Sequence, residues 1–212
     1  QRYFSLTDAT GKLLPKFIAV SNTPVKDQAL SVKGYERVLR SRLADARFFY
    51  EEDKKRALKD RVEDLKRRTY QKVLGSEYDR VVRIATMARI LSEKLSLPKA
   101  TQDAAFQAAM LCKADLTTGM VGEFPELQGI MGRYYALLHG ESQALADAIE
   151  DHYKPIGATE AMPRSDVGAV VALADRLHTL CGIMGAGEKA TGAADPFGLR
   201  RATLGIIRIA LE

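Results

Sequence analysis

Thr101-Gln102-Asp103-Ala104-Ala105-Phe106-Gln107-Ala108-Ala109-Met110-Leu111-Cys112-Lys113-Ala114-Asp115-Leu116-Thr117-Thr118-Gly119-Met120 is the stretch that decides the fold. Read as one helix over 101–120, it points Ala105, Phe106, Ala108, Met110, Leu111, Cys112, Ala114 and Leu116 in nearly every direction around the axis. A helix that is apolar all round belongs in the middle of a bundle. Asp115 lies within it, and a buried carboxylate must find a partner or hold a proton. Asp115 is therefore expected to be a structural hydrogen-bond acceptor, paired with Lys or Arg.

Outward from this stretch the pattern stays helical. Periodicity predicts helices at about 35–56, 57–68, 76–96, 125–139, 142–153, 166–184 and 196–211, with Gly75, Pro98, Pro125, Gly140, Pro155, Pro163 and Pro196 in the gaps. The 35–56 helix carries a stripe of Val38, Leu39, Leu43, Ala46 and Phe49. The charged 57–68 segment is expected to be exposed. In 166–184 the main stripe is Val170, Leu173, Leu177, Leu180 and Met184, which leaves Asp175 on the solvent side. Pro125 and Glu126 suit a helix start, and Gly129 and Gly132 allow a neighbouring element to approach closely. Tyr134 and Tyr135 read as half-buried packing. Residues 3–7 and 13–20 read as strands joined by the turn Asp8-Ala9-Thr10-Gly11. A lone hairpin is marginal in water, so it reads as the remnant of a larger sheet. The fold class is mostly α: a helical bundle with a short N-terminal β-hairpin remnant and a connector helix.

Composition narrows the function classes. Of 212 residues, 46% are hydrophobic and 28% charged, which supports a packed core and excludes a disordered chain. The net charge of +5 is a mild basic excess, compatible with nucleic acid without requiring it. Cys112 and Cys181 fit no metal spacing and read as buried thiols of a reducing cytosol. Gly182, Gly185 and Gly187 follow no strand and so form no phosphate-cradling loop. There is no signal peptide, and the apolar runs are short of a membrane span. His139 and His152 sit at helix ends. His178 is a helical neighbour of Asp175 and is expected to pair with it. The chain begins at Gln1 and ends inside a helical pattern, so both ends read as cut from something longer.

Several long motifs, in order, resemble the β subunits of bacterial glycyl-tRNA synthetases. The sharpest is Val121-Gly122-Glu123-Phe124-Pro125-Glu126-Leu127-Gln128-Gly129-Ile130-Met131-Gly132-Arg133-Tyr134-Tyr135, after Lys113–Met120. Ala172-Leu173-Ala174-Asp175-Arg176-Leu177 and Asp195-Pro196-Phe197-Gly198-Leu199-Arg200-Arg201 fit as well. So do Gln1-Arg2-Tyr3-Phe4, Leu14-Pro15-Lys16-Phe17 and the run Glu36–Ala46. The resemblance spans essentially the whole chain, as an internal piece of a longer β subunit. It implies a cytoplasmic α2β2 glycine–tRNA ligase whose separate α subunit holds ATP and Mg²⁺. The implied partners are that α subunit, a second β subunit and tRNA(Gly), with no membrane.

The resemblance also implies an HD-like (His-Asp phosphohydrolase-like) helical domain at about 56–185. The end of an α+β module with its connector would occupy 1–55, and the start of a further helical segment 186–212. A working HD site holds its metal with four ligands in the order His, His-Asp, Asp. The corresponding positions here are Tyr78, Ala114, Asp115 and Asp175, so both histidines are missing. The expectation is a degenerate site with no catalytic residue and no metal, and a fragment inactive on its own. Candidate contacts to tRNA or to another part of the synthetase are Arg37, Arg40 and Arg47 on the connector helix, and Lys189, Arg200 and Arg201. A metal-dependent HD-type phosphohydrolase or deacylase, and a purely structural scaffold, are the alternatives.

Overall fold

The computed structural model describes residues 3–188 and 194–212. They fall into two compact units, Gln1–Phe48 and Phe49–Glu212. In the first, strands β1 (Tyr3–Thr7) and β2 (Leu13–Ala19) form the expected antiparallel hairpin, with Phe4 opposite Ile18. Asp8 builds the turn: its carboxylate accepts from the backbone N–H of Thr10 (2.9 Å) and of Lys12 (3.0 Å). The Tyr3 ring packs on Phe17 and on Tyr35, both at 5.6 Å. Tyr35 belongs to helix α1 (Gln28–Asp53), which begins earlier than periodicity suggests. The expected stripe of α1 is only partly covered, because Val38 and Leu43 are exposed.

The second unit is helical. It comprises a 3₁₀ helix (Leu58–Arg67), α2 (Glu77–Lys94), α3 (Lys99–Leu111), a short 3₁₀ turn (Ala114–Thr117), α4 (Gly119–Glu123), α5 (Ile130–Leu138), α6 (Gln143–Asp151), α7 (Asp166–Gly185) and α8 (Leu199–Leu211). Ser76 starts α2 with a reciprocal cap: Asp79 N–H donates to Ser76 Oγ, and Ser76 N–H donates to Asp79 Oδ2 at 2.8 Å. Alanines make the close α2–α3 contact, with Ala85, Ala88, Ala105, Ala108 and Ala109 all fully buried. A small hairpin, β3 (Thr69–Gln71) and β4 (Gly75–Ser76), precedes α2 and was not legible in the sequence.

The single helix expected over 101–120 is broken. It ends at Leu111, and the chain passes through a 3₁₀ turn before α4. Capping from two sources wins over helix propagation. Thr118 Oγ1 accepts from Val121 N–H (3.3 Å), and the buried Asp53 carboxylate accepts from Gly119 N–H (2.9 Å) and Met120 N–H (2.8 Å). Asp53 also accepts from the hydroxyl of buried Tyr135 at 3.2 Å and faces Arg61. Nor is α3 buried all round, since Asp103 and Gln107 are exposed; burial is continuous only over Leu111–Leu116. The 57–68 segment is likewise corrected: it is 3₁₀, and Leu58, Arg61, Val62 and Leu65 are buried on one face.

Helix α7 packs against α2, α3, α6 and α8. By length and composition it is apolar enough to cross a membrane, which inspection of apolar runs missed, yet it is a packed core helix. Its buried side is not the expected stripe. Leu173, Leu177 and Leu180 are only half-buried and Met184 is exposed, whereas Val171, Ala172, Ala174, Asp175, Arg176 and His178 are buried. Cys181 falls on the uncovered side and is exposed, against expectation; Cys112 is buried, and burial pushes its thiol up to about 12. Of the two adjacent tyrosines, Tyr134 is exposed and Tyr135 buried.

Candidate functional site

The break after α3 turns Lys113 into the centre of the helical unit, where its side chain is 2% exposed. Lys113 Nζ donates to Asp175 Oδ2 at 3.0 Å and lies 2.8 Å from His152 Nε2. His152 caps the end of α6, and its Nδ1 faces the Ile149 carbonyl. A carbonyl only accepts, so Nδ1 carries the proton and Nε2 accepts from Lys113. The Lys113 ammonium also sits 4.2 Å from the centre of the Tyr153 ring. From α2, Arg80 donates to Asp175 Oδ1 (2.8 Å) and pairs with Glu77 (3.3 Å). Each oxygen of Asp175 therefore receives one cation.

Electrostatics follow from this packing. Burial alone would raise the Asp175 carboxyl, but the charges of Arg80 and Lys113 outweigh it and hold the group well below the usual carboxylate range. Burial and the Lys113 charge hold His152 well below the ordinary histidine value, so its ring is neutral. Burial, then Arg80 and Arg83, lower His178 to about 4. His178 does not pair with Asp175 as expected; its Nε2 accepts from Arg83 Nε at 3.0 Å and its ring lies against Tyr70.

Arg176, one residue on, serves a different end. Its guanidinium donates to the carbonyls of His152 (2.9 Å), Tyr153 (2.9 Å), Pro155 (3.0 Å) and Ala172 (3.1 Å). It thereby ties the loop after α6 to α7 and fixes His152 in front of Lys113. Gly205 of α8 leaves room for this side chain; a Cβ there would collide with Arg176 Nε.

Of the four positions that the resemblance matches to an HD site, only Asp175 joins this cluster. It is buried, and the expectation of solvent exposure is corrected because its partners come from α2 and from the α3 break. Tyr78 is half-buried on α2 with Lys66 4.5 Å from its ring centre. Ala114 is fully buried in the 3₁₀ turn. Asp115 is buried as expected, but its direct partner is backbone rather than Lys or Arg: Oδ2 accepts from Gly129 N–H at 2.6 Å, and among the described residues Oδ1 has no hydrogen-bond partner. The glycines make this possible. Gly129 has φ +77°, and a Cβ on Gly132 would lie 3.1 Å from Asp115 Oδ2 and 2.7 Å from Ile149. Arg37, Arg40 and Arg47 are exposed along α1, and Arg200 and Arg201 are exposed at the start of α8. Lys189, like Gln1 and Arg2, lies outside the described residues. Sequence reading missed Lys113, Arg80 and Arg176, and it placed His152 at a helix end without its partner Lys113; the available signal was Lys113 itself, a charge inside an apolar run.

Burial pushes the Asp115 carboxyl up to about 6, against the Gly129 N–H and the Lys113 charge, which lower it. A carboxyl raised on folding favours the folded state most when protonated. Its contribution is complete below the unfolded value of about 3.9 and is lost as pH rises through about 6. Asp115→Asn removes this titration. Relative to the variant, the wild type is expected to gain roughly 2–3 kcal/mol between pH 7 and pH 4, measured by urea unfolding at each pH.

Comparison with known proteins agrees with this sequence pattern. The glycyl-tRNA synthetase beta subunit family matches residues 1–212. A glycine–tRNA ligase beta subunit of Anaeromyxobacter dehalogenans (strain 2CP-C) is 63% identical over 211 residues, covering 100% of this chain and 30% of that relative. Those of Myxococcus xanthus (strain DK1622) and Geobacter sulfurreducens are 58% and 53% identical over 212 residues, again across 100% of this chain and 30% and 31% of theirs. The chain thus spans about 30% of the length of these relatives. It belongs to the glycyl-tRNA synthetase β-subunit family.

Proposed function

We propose that this chain is a non-catalytic part of a cytoplasmic glycine–tRNA ligase. It supports tRNA(Gly) binding and aminoacylation by a separate α subunit, which holds ATP and Mg²⁺ in an α2β2 assembly. Within it, residues 56–185 form a degenerate HD-like unit. The observation that carries this reading is the coordination of Asp175 by two protein cations, Lys113 and Arg80. An ammonium and a guanidinium take the lone pairs that a catalytic metal would need, and the His152 Nε2 lone pair is taken by the same ammonium. Among the described residues, no group of three or more His, Cys, Asp or Glu side chains is arranged to hold a metal ion. This donor set does not fit a metal-dependent phosphohydrolase.

The tRNA-facing surface is assigned to the exposed Arg37, Arg40 and Arg47 of α1, with Arg200 and Arg201 as a second group. Phosphate contacts weaken steeply as salt rises. In the assembled synthetase, Arg37→Glu with Arg40→Glu is expected to weaken tRNA(Gly) binding about tenfold or more at low salt. The salt slope should fall by about 2, one unit per lost phosphate contact. Filter binding across a salt series reads both. Unchanged affinity and slope would leave α1 as a connector only and favour a structural scaffold.

A further inference from the structure

A cavity of about 710 Å³ opens beside the Lys113–Asp175 cluster, a size typical of small-molecule sites. Five of its lining side chains are basic (Arg68, Arg80, Lys113, Arg176 and Arg201), against two acidic, Glu77 and Asp175. Both acids are already engaged by Arg80, with Lys113 also on Asp175, so the wall keeps a positive surplus. Arg68 and Arg201 are exposed and, among the described residues, their guanidinium groups have no hydrogen-bond or ion-pair partner. Tyr70 and Arg80 also line the cavity, and among the described residues Tyr70 Oη and Arg80 Nε are buried without a hydrogen-bond partner. A bare anion would leave most of the volume empty. Phe197, half-buried in the same wall, offers a ring that, among the described residues, neither another ring nor a cation covers.

We propose that this cavity binds a phosphorylated nucleotide unit without hydrolysing it, Arg68 and Arg201 taking the phosphate and Phe197 the base. Charge-assisted bonds from arginine suit phosphate oxygens, and base–aromatic stacking is tolerant of sequence. A free mononucleotide and one nucleotide of an RNA strand share this chemistry. Arg37, Arg40 and Arg47 do not line this cavity and the α1 test above leaves Arg201 unchanged, so the two readings are tested by separate substitutions.

The test is isothermal titration of the full chain with AMP, with adenosine and inorganic phosphate in parallel. It is repeated on Arg68→Ala with Arg201→Ala and, separately, on Phe197→Ala. The expected result is saturable AMP binding, tighter than adenosine or phosphate alone, and weakened about tenfold or more by the double arginine substitution. The two arginines are exposed, so thermal melting of that variant should match wild type; Phe197→Ala supplies an independent loss if it does not. A single-stranded RNA pentamer that displaces AMP assigns the site to a unit of RNA, and one that does not assigns it to a free nucleotide. Absence of saturable AMP binding, equal affinity for adenosine, or affinity unchanged in both variants would overturn the proposal.

Discussion

Asp175→Ala is expected to destabilise the chain by about 3–5 kcal/mol, read as a lower midpoint in urea unfolding. The substitution leaves α7 intact, because alanine is the best helix former. What it removes is the shared counter-charge of Lys113 and Arg80, whose side chains are 2% and 13% exposed. Lys113 is then left buried with no anion, and Arg80 keeps only Glu77, which costs far more than the net worth of the original pair. Lys113→Met alone should cost less, since Asp175 keeps Arg80. Combining Lys113→Met with Asp175→Ala should fall short of the sum of the two by at least about 1 kcal/mol, because the residues touch. The pH dependence has a definite sign. The Asp175 carboxyl is held below its unfolded value of about 3.9, so its contribution is complete above that value and withdrawn as pH falls below it. The alanine variant should therefore lose part of the wild type's sensitivity to acid below about pH 4.

The second large effect is expected at Arg176, where alanine should cost about 3 kcal/mol or more. Three of its four carbonyl partners belong to the loop after α6, and each acceptor left buried without a donor costs about 1–3 kcal/mol. Arg176→Lys distinguishes geometry from charge. A lysine keeps the charge but cannot reproduce a planar fork reaching four carbonyls, so it should recover little of the loss. Because the loop carries His152 and Tyr153, both variants should also raise amide exchange at Lys113, which amide hydrogen exchange with mass spectrometry can locate.

What was legible in the sequence follows from which forces are local. The hairpin, α2, α6, α7 and α8 were readable because turn residues, caps and apolar spacing lie within a few residues of one another. The break at Lys113 was not, because two of the three capping hydrogen bonds go to Asp53, 66 residues before Gly119. Periodicity also misplaced the packed face of α7. It counts apolar side chains, whereas Asp175 is buried by partners 62 and 95 residues away in sequence. For Asp115 the need for a partner was legible and its identity was not: a backbone N–H exposed by the positive φ of Gly129 does the work assigned to Lys or Arg. The same glycine pair was read correctly as a place of close approach. The ordered motifs around 113–135 and 172–177 were specific enough to place the chain in its family, while the cation cluster that defines its centre emerged only from the fold.

Metal content is the most direct test of an internal ammonium and guanidinium in place of a catalytic metal. The protein would be purified without chelators and its metal measured per chain by mass spectrometry, before and after exposure to Mn²⁺ and desalting. The expected result is well under one equivalent of any transition metal in both samples, with an unchanged melting temperature. One tightly held equivalent of Mn, Fe or Zn, lost on substitution of Asp175 or His152, would contradict it and bring metal-dependent phosphohydrolase or deacylase chemistry to the front.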